Sequence, residues 1–348
     1  MTSPNSEIHV EPSHIVPGGG IAIQGEGFET KRAHTIRVFC GEKQVEVNWV
    51  TETKIAATIP EDAVAGNNEI RVQFEGGLSS SSPVCIAKEI ARKLQPVANP
   101  VFDNEKKLYV TLSGSRGTKV PVSIYCISDY GKAEPYNADI LNPTGLAWGS
   151  DNCLYVSSRA EGTVYRINSD REIELFADGL GIATDIAFDP EGILYVGDRR
   201  GNIFRVERNG EVRSFCRLEP SVSAYHLVFD REGNLFVSVP SLASRDQIFR
   251  IDAGAKGELF YQGFGRPQGM AFDEEGLLYV AEGLPGYSGI YVIDESGVGL
   301  ERRIASPPVV GVVFDNEGGL VVATKNTLYS MGRPTDAYFH TECGVFSF

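Results

Sequence analysis

Ala187-Phe188-Asp189-Pro190-Glu191-Gly192-Ile193-Leu194-Tyr195-Val196 is the stretch on which the fold turns. An apolar run closes on an aromatic residue and an aspartate, a Glu-Gly turn follows, and a second apolar run begins. Both runs are too short for a helix and read as strands joined by a tight turn. The second run recurs as Leu108-Tyr109-Val110, Leu154-Tyr155-Val156, Leu235-Phe236-Val237, Leu278-Tyr279-Val280 and Leu320-Val321-Val322. Along the chain the intervals are 46, 40, 41, 43 and 42 residues. The first run recurs before each, as in Val101-Phe102-Asp103, Ala147-Trp148, Val228-Phe229-Asp230, Ala271-Phe272-Asp273 and Val313-Phe314-Asp315. A third strand such as Gly201 to Val206 and a fourth such as Ile173 to Phe176 complete each unit. Four short strands every ~42 residues is the period of a propeller blade. Six marks predict a six-bladed β-propeller over residues 85–332.

Such a ring must be closed, because an open edge strand invites pairing with other chains. Lys88 to Asp103 align without gaps to Glu174 to Asp189. Residues 86–91 therefore take the place of an outer strand of the preceding blade. For the first blade that predecessor is the last, so this segment is expected to pair with Thr327 to Met331.

Residues 7–84 alternate with a period of two between turns. Ile21 and Ile23, then Ile36, Val38 and Cys40, then Val45, Val47 and Trp49, then Ile70, Val72 and Phe74 mark successive strands. That spacing predicts an immunoglobulin-like β-sandwich. The fold class is therefore all-β, a sandwich followed by a propeller. Gly76 to Pro83 is either a linker or a strand edge. The segment 333–348 carries Tyr338, Phe339, His340, Phe346 and Phe348, too aromatic to be solvated throughout. It is expected to pack on its own propeller, on the N-terminal domain or on a partner.

Composition sets further bounds. The 348 residues carry a net charge of −14, which repels a polyanion, so no nucleic acid is expected as a partner. No run approaches the ~20 apolar residues of a membrane span. The first ten residues show no basic-then-apolar leader. The six cysteines form no C-x-x-C pair and do not recur in phase with the repeat. Free thiols in a reducing compartment fit this better than a disulfide framework, and a cytoplasmic location is the expectation.

Gly19-Gly20 before Ile21-Ala22-Ile23, the Gly25-x-Gly27-Phe28 bend and the strand from Ile55 to Pro60 resemble the IPT/TIG family of immunoglobulin-like domains. The resemblance implies a binding or spacer module. The repeat region resembles the gluconolactonase and regucalcin (senescence marker protein) family and the NHL-repeat propellers. That family holds one divalent cation at the channel mouth, using a Glu before a Pro-Val-aromatic strand, an Asn before Gly-Leu-x-Trp and an Asp before Gly-Met. Here the frames Pro100-Val101-Phe102, Gly145-Leu146-Ala147-Trp148 and Gly269-Met270 are present, but the ligand positions hold Ala98, Thr144 and Gln268. Both carboxylates are gone, so no metal ligand is assigned, no cofactor is expected and metal-dependent lactonase activity is not carried over. Asn99 and Asn142 are the nearest polar substitutes.

The innermost strands place other groups toward the mouth in phase: Asn99, Thr144, Thr184-Asp185, Tyr225-His226 and Gln268. Asp185 and His226 stand at one level on consecutive blades. Asp185 also falls where the resemblance places a substrate-binding or catalytic Asp. A histidine held by a carboxylate is a general acid or base near neutral pH. The plainer reading, a hydrogen-bonded pair that stabilises the junction, is the favoured one. Arg159, Asp198 and Glu282 follow the Leu-Tyr-Val marks and are candidate ligand-binding charges. Tyr225 and Tyr287 are candidate stacking residues at loop tips. The loops Leu284 to Gly289 and Ser241 to Asp246 are longer than their counterparts. Two functions stand. The first is a propeller that binds a small molecule or a protein at its channel mouth. The alternative is a channel-mouth hydrolase or lyase, lactonase-like, using Asp185 and His226.

Overall fold

The computed structural model describes residues 7–28, 34–74, 77–128, 132–137, 139–242 and 245–334. The aromatic tail beyond Pro334, including Tyr338, Phe339, His340, Phe346 and Phe348, lies outside the described residues, as do positions 243 and 244 of the Ser241 to Asp246 loop. The chain is all-β, an immunoglobulin-like domain followed by a β-propeller arrangement.

Each repeat is an antiparallel meander of four strands. In the second repeat these are Pro143–Trp148, Leu154–Ser158, Thr163–Ile167 and Ile173–Ala177. The second strands are buried end to end, which is why they read as unbroken apolar marks rather than alternating ones. The aromatic in the mark packs against the aromatic that closes the next repeat's innermost strand. Tyr155 meets Phe188, Tyr195 meets Phe229, Phe236 meets Phe272 and Tyr279 meets Phe314, all edge-to-face with centroids 4.9–5.0 Å apart. Each such pair contributes about 0.5–1.5 kcal/mol beyond its buried area. The two sequence marks are thus the two halves of one inter-repeat contact.

The aspartate after the closing aromatic shapes the turn. Asp189 Oδ1 accepts from the amides of Glu191 and Ile193 at 3.0 and 2.8 Å. Asp103, Asp230, Asp273 and Asp315 do the same two and four residues on. The left-handed residue is Lys106 in the Asp103 turn and a glycine, at 192, 233, 276 and 318, in the others.

The expected count of six separate blades is corrected. Among the described residues, five four-stranded sheets stand alone. The strands of the fifth repeat, Pro267–Phe272 through Leu300–Ala305, belong instead to a 13-stranded sheet shared with the N-terminal domain. The cause is one short strand, His14–Ile15. It pairs in parallel with Ile304 and Ala305 on one side and with Cys85 and Ile86 on the other. Gly19 makes the close approach possible, since a Cβ there would lie 2.7 Å from the Ala305 carbonyl oxygen. Arg302 reinforces the joint by donating to the Gly20 carbonyl at 3.1 Å.

The ring-closing strand is Lys88–Arg92, paired with Thr327–Met331. Ile86 is excluded from it, because strand Ser82–Ile86 is the last of the N-terminal domain and pairs with Gly66–Phe74. Only Ala87 lies between the two strands, and of the proposed linker Gly77–Leu78 and Ser82–Pro83 belong to strands of the N-terminal domain. The free-thiol reading also fails at one position: Cys85 is disulfide-bonded, while Cys40, Cys126, Cys153 and Cys216 are free. Sequence spacing carried no sign of it. No helix of the described residues is long and apolar enough to cross a membrane.

Candidate functional site

The channel mouth brings together the residues expected there, but the fold itself uses most of their hydrogen-bonding capacity. Asp185 and His226 are both buried, and Asp185 Oδ2 lies 3.5 Å from His226 Nδ1. The same Oδ2 accepts from the Leu227 amide at 3.1 Å, and Oδ1 accepts from the Ile186 amide at 3.0 Å. Asp185 thus fastens two neighbouring innermost strands. Neither ring nitrogen of His226 has a hydrogen-bond partner.

The other mouth residues behave alike. Asn99 donates to the Met270 carbonyl at 2.7 Å and accepts from the Val312 amide at 3.0 Å, tying the first repeat to the fifth and sixth. Gly269 and Gly311 admit it: a Cβ on either would fall 1.8 or 2.9 Å from Asn99 Oδ1. Thr144 donates to the Ala183 carbonyl at 3.0 Å and lies 2.9 Å from Ser157 Oγ. Thr184 Oγ1 accepts from the Tyr225 amide at 3.1 Å. The Gln268 side-chain amide donates to the Pro267 carbonyl at 3.1 Å. Asn142, just before the innermost strand of the second repeat, binds the Gly114 and Ser115 carbonyls and the Gly117 amide at 2.6–3.0 Å.

Three expected ligand-binding residues are corrected. Tyr225 is 0% exposed and its hydroxyl donates to the Glu219 carbonyl, so it is core and not a loop-tip stacker. Asp198 is buried and accepts from the amides of Ile182 and Arg200 and from Asn202 Nδ2 at 2.8–3.0 Å. Glu282 accepts from the amides of Gly265, Arg266 and Leu284 at 2.7–2.8 Å. Both carboxylates are buried staples of the loops, each already accepting from three donors. Among the described residues no group of three or more His, Cys, Asp or Glu is arranged to hold a metal. Of the stacking candidates Tyr287 alone is open, 67% exposed. Arg159 stays available: its Nη2 donates to the Gly114 carbonyl at 3.1 Å, while its Nε has no partner.

A cavity of about 970 Å³ opens on the opposite face, where the first and second strands turn. Phe188, Phe229, Phe272 and Phe314 line it, each half-buried against the neighbouring repeat. The turn aspartates 189, 230, 273 and 315 ring it, with Arg231, Arg250 and Arg333 between them. Arg333 Nη2 lies 2.8 Å from Asp273 Oδ2 and 3.2 Å from Glu275 Oε2. The Phe-Asp repeat was visible in the sequence as a strand end. That four such ends converge on one cavity follows only from the ring.

Residues 8–84 match the model of the IPT/TIG domain family. No curated protein matches the chain. Among solved structures, an auxiliary nutrient binding protein from Bacteroides thetaiotaomicron is 13% identical with a TM-score of 0.56, covering 94% of this chain and 98% of its own. A putative gluconolactonase is 18% identical with a TM-score of 0.58, covering 70% of this chain and 90% of its own. Virginiamycin B lyase from Staphylococcus aureus is 14% identical with a TM-score of 0.50, covering 85% of this chain and 98% of its own. At these identities the likeness is one of fold.

Proposed function

We propose that this chain is a ligand-binding β-propeller, and that the cavity on the turn face takes a small polar ligand with an apolar ring face, such as a sugar. The observation that carries this reading is the cavity itself, about 970 Å³. That size suits a small molecule, and half-buried phenylalanines with a few convergent polar groups are the usual lining of such a site. Each aspartate spends one oxygen on its turn. The second oxygens of Asp189 and Asp315 are left for a ligand hydroxyl among the described residues. The Bacteroides structure matched along nearly the whole of this chain is described as an auxiliary nutrient binding protein, which agrees with the reading. The IPT/TIG domain, joined by a continuous sheet, serves as a second surface for a protein partner. Calorimetric titration with a panel of neutral sugars tests the proposal. Saturable heat that is lost in Asp189→Asn/Asp315→Asn, with the fold intact, is expected. A panel without heat, or heat unchanged in the variant, overturns it.

The alternative is a channel-mouth hydrolase or lyase using Asp185 and His226. One observation favours it: His226 has two unpartnered ring nitrogens beside a carboxylate. Relatives described as a putative gluconolactonase and a lyase agree with it. Turnover of a lactone or ester panel that disappears in His226→Gln would establish it over the binding reading.

A further inference from the structure

The face opposite the cavity carries a contiguous arc of cations on a protein whose net charge is −14. In the second, third, fifth and sixth repeats the second strand ends in one shared register. Pro143 faces Ser158, Ala183 faces Asp198, Pro267 faces Glu282 and Val309 faces Thr324. The next residue is Arg159, Arg199, Gly283 and Lys325 respectively. Arg159 and Arg199 share the turn as well, their amides donating to the Asn142 and Ile182 carbonyls at 3.2 and 3.1 Å. The first repeat, which lies between the sixth and second, adds Arg116 from its longer loop. That loop is built rather than loose: the buried Asn142 side chain clamps Gly114, Ser115 and Gly117, and Arg159 holds Gly114 from the other side.

Among the described residues Arg116, Arg159, Arg199 and Lys325 form no ion pair. The acids next to Arg159 and Arg199 in sequence are already engaged, Asp198 by three donors and Glu161 by the Tyr165 hydroxyl. The guanidiniums feel one another: burial, then Arg116 and Arg199, hold the Arg159 pKa below the usual arginine range. Like charges gathered this way cost stability unless an anion joins them, and guanidinium forks fit oxyanions in bidentate fashion.

We propose that Arg116, Arg159 and Arg199 form a binding site for an oxyanion group — phosphate, sulfate or carboxylate — of a small molecule, on the face opposite the turn-face cavity. The site stands independently of that cavity. Arg159 supplies the partly buried anchor, and the exposed Arg116 and Arg199 close on the ligand from adjacent repeats.

The test is calorimetric titration of the full chain at low ionic strength with inorganic phosphate, sulfate and citrate, using chloride at matched ionic strength as control. Saturable binding of at least one oxyanion is expected, weakened by about tenfold in each of Arg116→Ala and Arg199→Ala, the loss of a charge-assisted contact. Both residues are exposed, so folding should survive, and circular dichroism verifies it. Arg159→Lys, which keeps the charge and removes the fork, should weaken binding while retaining the fold. Phosphate against sulfate against citrate then identifies the group preferred. Heat indistinguishable from chloride, or affinity unchanged in the Arg116→Ala/Arg199→Ala double variant, overturns the proposal.

Discussion

Asp185 Oδ2 accepts a 3.1 Å hydrogen bond from the Leu227 amide and stands 3.5 Å from His226 Nδ1, so one oxygen faces both the backbone and the ring of the next repeat. The backbone bond is the better formed of the two. Its geometry makes Asp185 a staple between two innermost strands. Replacing it by Ala orphans two buried amides, those of Ile186 and Leu227. Each orphan costs about 1–3 kcal/mol. Asp185→Ala is therefore expected to lower the urea midpoint clearly, and Asp185→Asn, which keeps one acceptor, to lower it less. Neither should change ligand uptake at the turn-face cavity. A stable Asp185→Asn variant with abolished turnover would instead make the residue catalytic.

Glu282 offers a sharper contrast, because its two roles predict opposite responses to metal. As a staple it serves three amides, from Gly265, Arg266 and Leu284. Glu282→Ala should then cost about 3 kcal/mol or more, summing the orphaned donors. Adding Ca²⁺ or Zn²⁺ should leave the melting temperature of the unsubstituted protein unchanged. A melting temperature that climbs with either cation, and no longer climbs in Glu282→Gln, would make Glu282 a cation ligand rather than a staple.

The mouth is also filled by close backbone approach. A Cβ on Gly145 would meet Asp185 Cα and the Ile186 amide nitrogen at 2.7 Å each, atoms that cannot swing aside. Gly145→Ala should destabilise the fold by about 1–3 kcal/mol through overpacking. Gly233→Ala makes a useful comparison. Nothing lies within 4 Å of its Cβ, so its cost would come from the left-handed backbone alone, φ +84°. Equal chemical denaturation curves for Gly145→Ala and the unsubstituted protein would mean that the channel opens more readily than its packing implies.

The repeat was legible because packing wrote it twice. Tyr155 and Phe188 must touch, so the first five repeats keep an aromatic in the mark and all six keep one at the strand end. The turn aspartates were legible for a similar reason, since one side chain caps two amides. The fusion of the fifth repeat to the N-terminal domain was not legible. It depends on His14–Ile15, two residues with no strand signature of their own, lying between Ile304 and Cys85. Site chemistry was half legible. The positions of Asp185, Asp198 and Glu282 came from phase, but whether their oxygens were free depended on loops whose course phase does not give. Tyr225 failed for that reason: the same phase that brings its backbone to the mouth turns its ring into the core.

His14 should make the junction between the two domains sensitive to acid. It is buried beside Arg303, and burial first, then the Arg303 charge, pushes its pKa from 6.5 down to about 4. The unfolded chain takes up a proton near pH 6.5, whereas the folded chain resists it until about pH 4. The neutral ring therefore favours folding fully above pH 6.5, and that contribution is lost as pH falls toward 4. A shift of this size corresponds to something on the order of 3 kcal/mol. The strand that would be strained is the one that joins the domains, so the loss should appear there first. Unfolding free energies measured between pH 7 and pH 4 should fall more steeply for the unsubstituted protein than for His14→Gln, which has nothing to titrate. Limited proteolysis at the lower pH should cut near Ala87 before it cuts within the repeats. Parallel pH profiles for the two proteins would remove His14 as the cause.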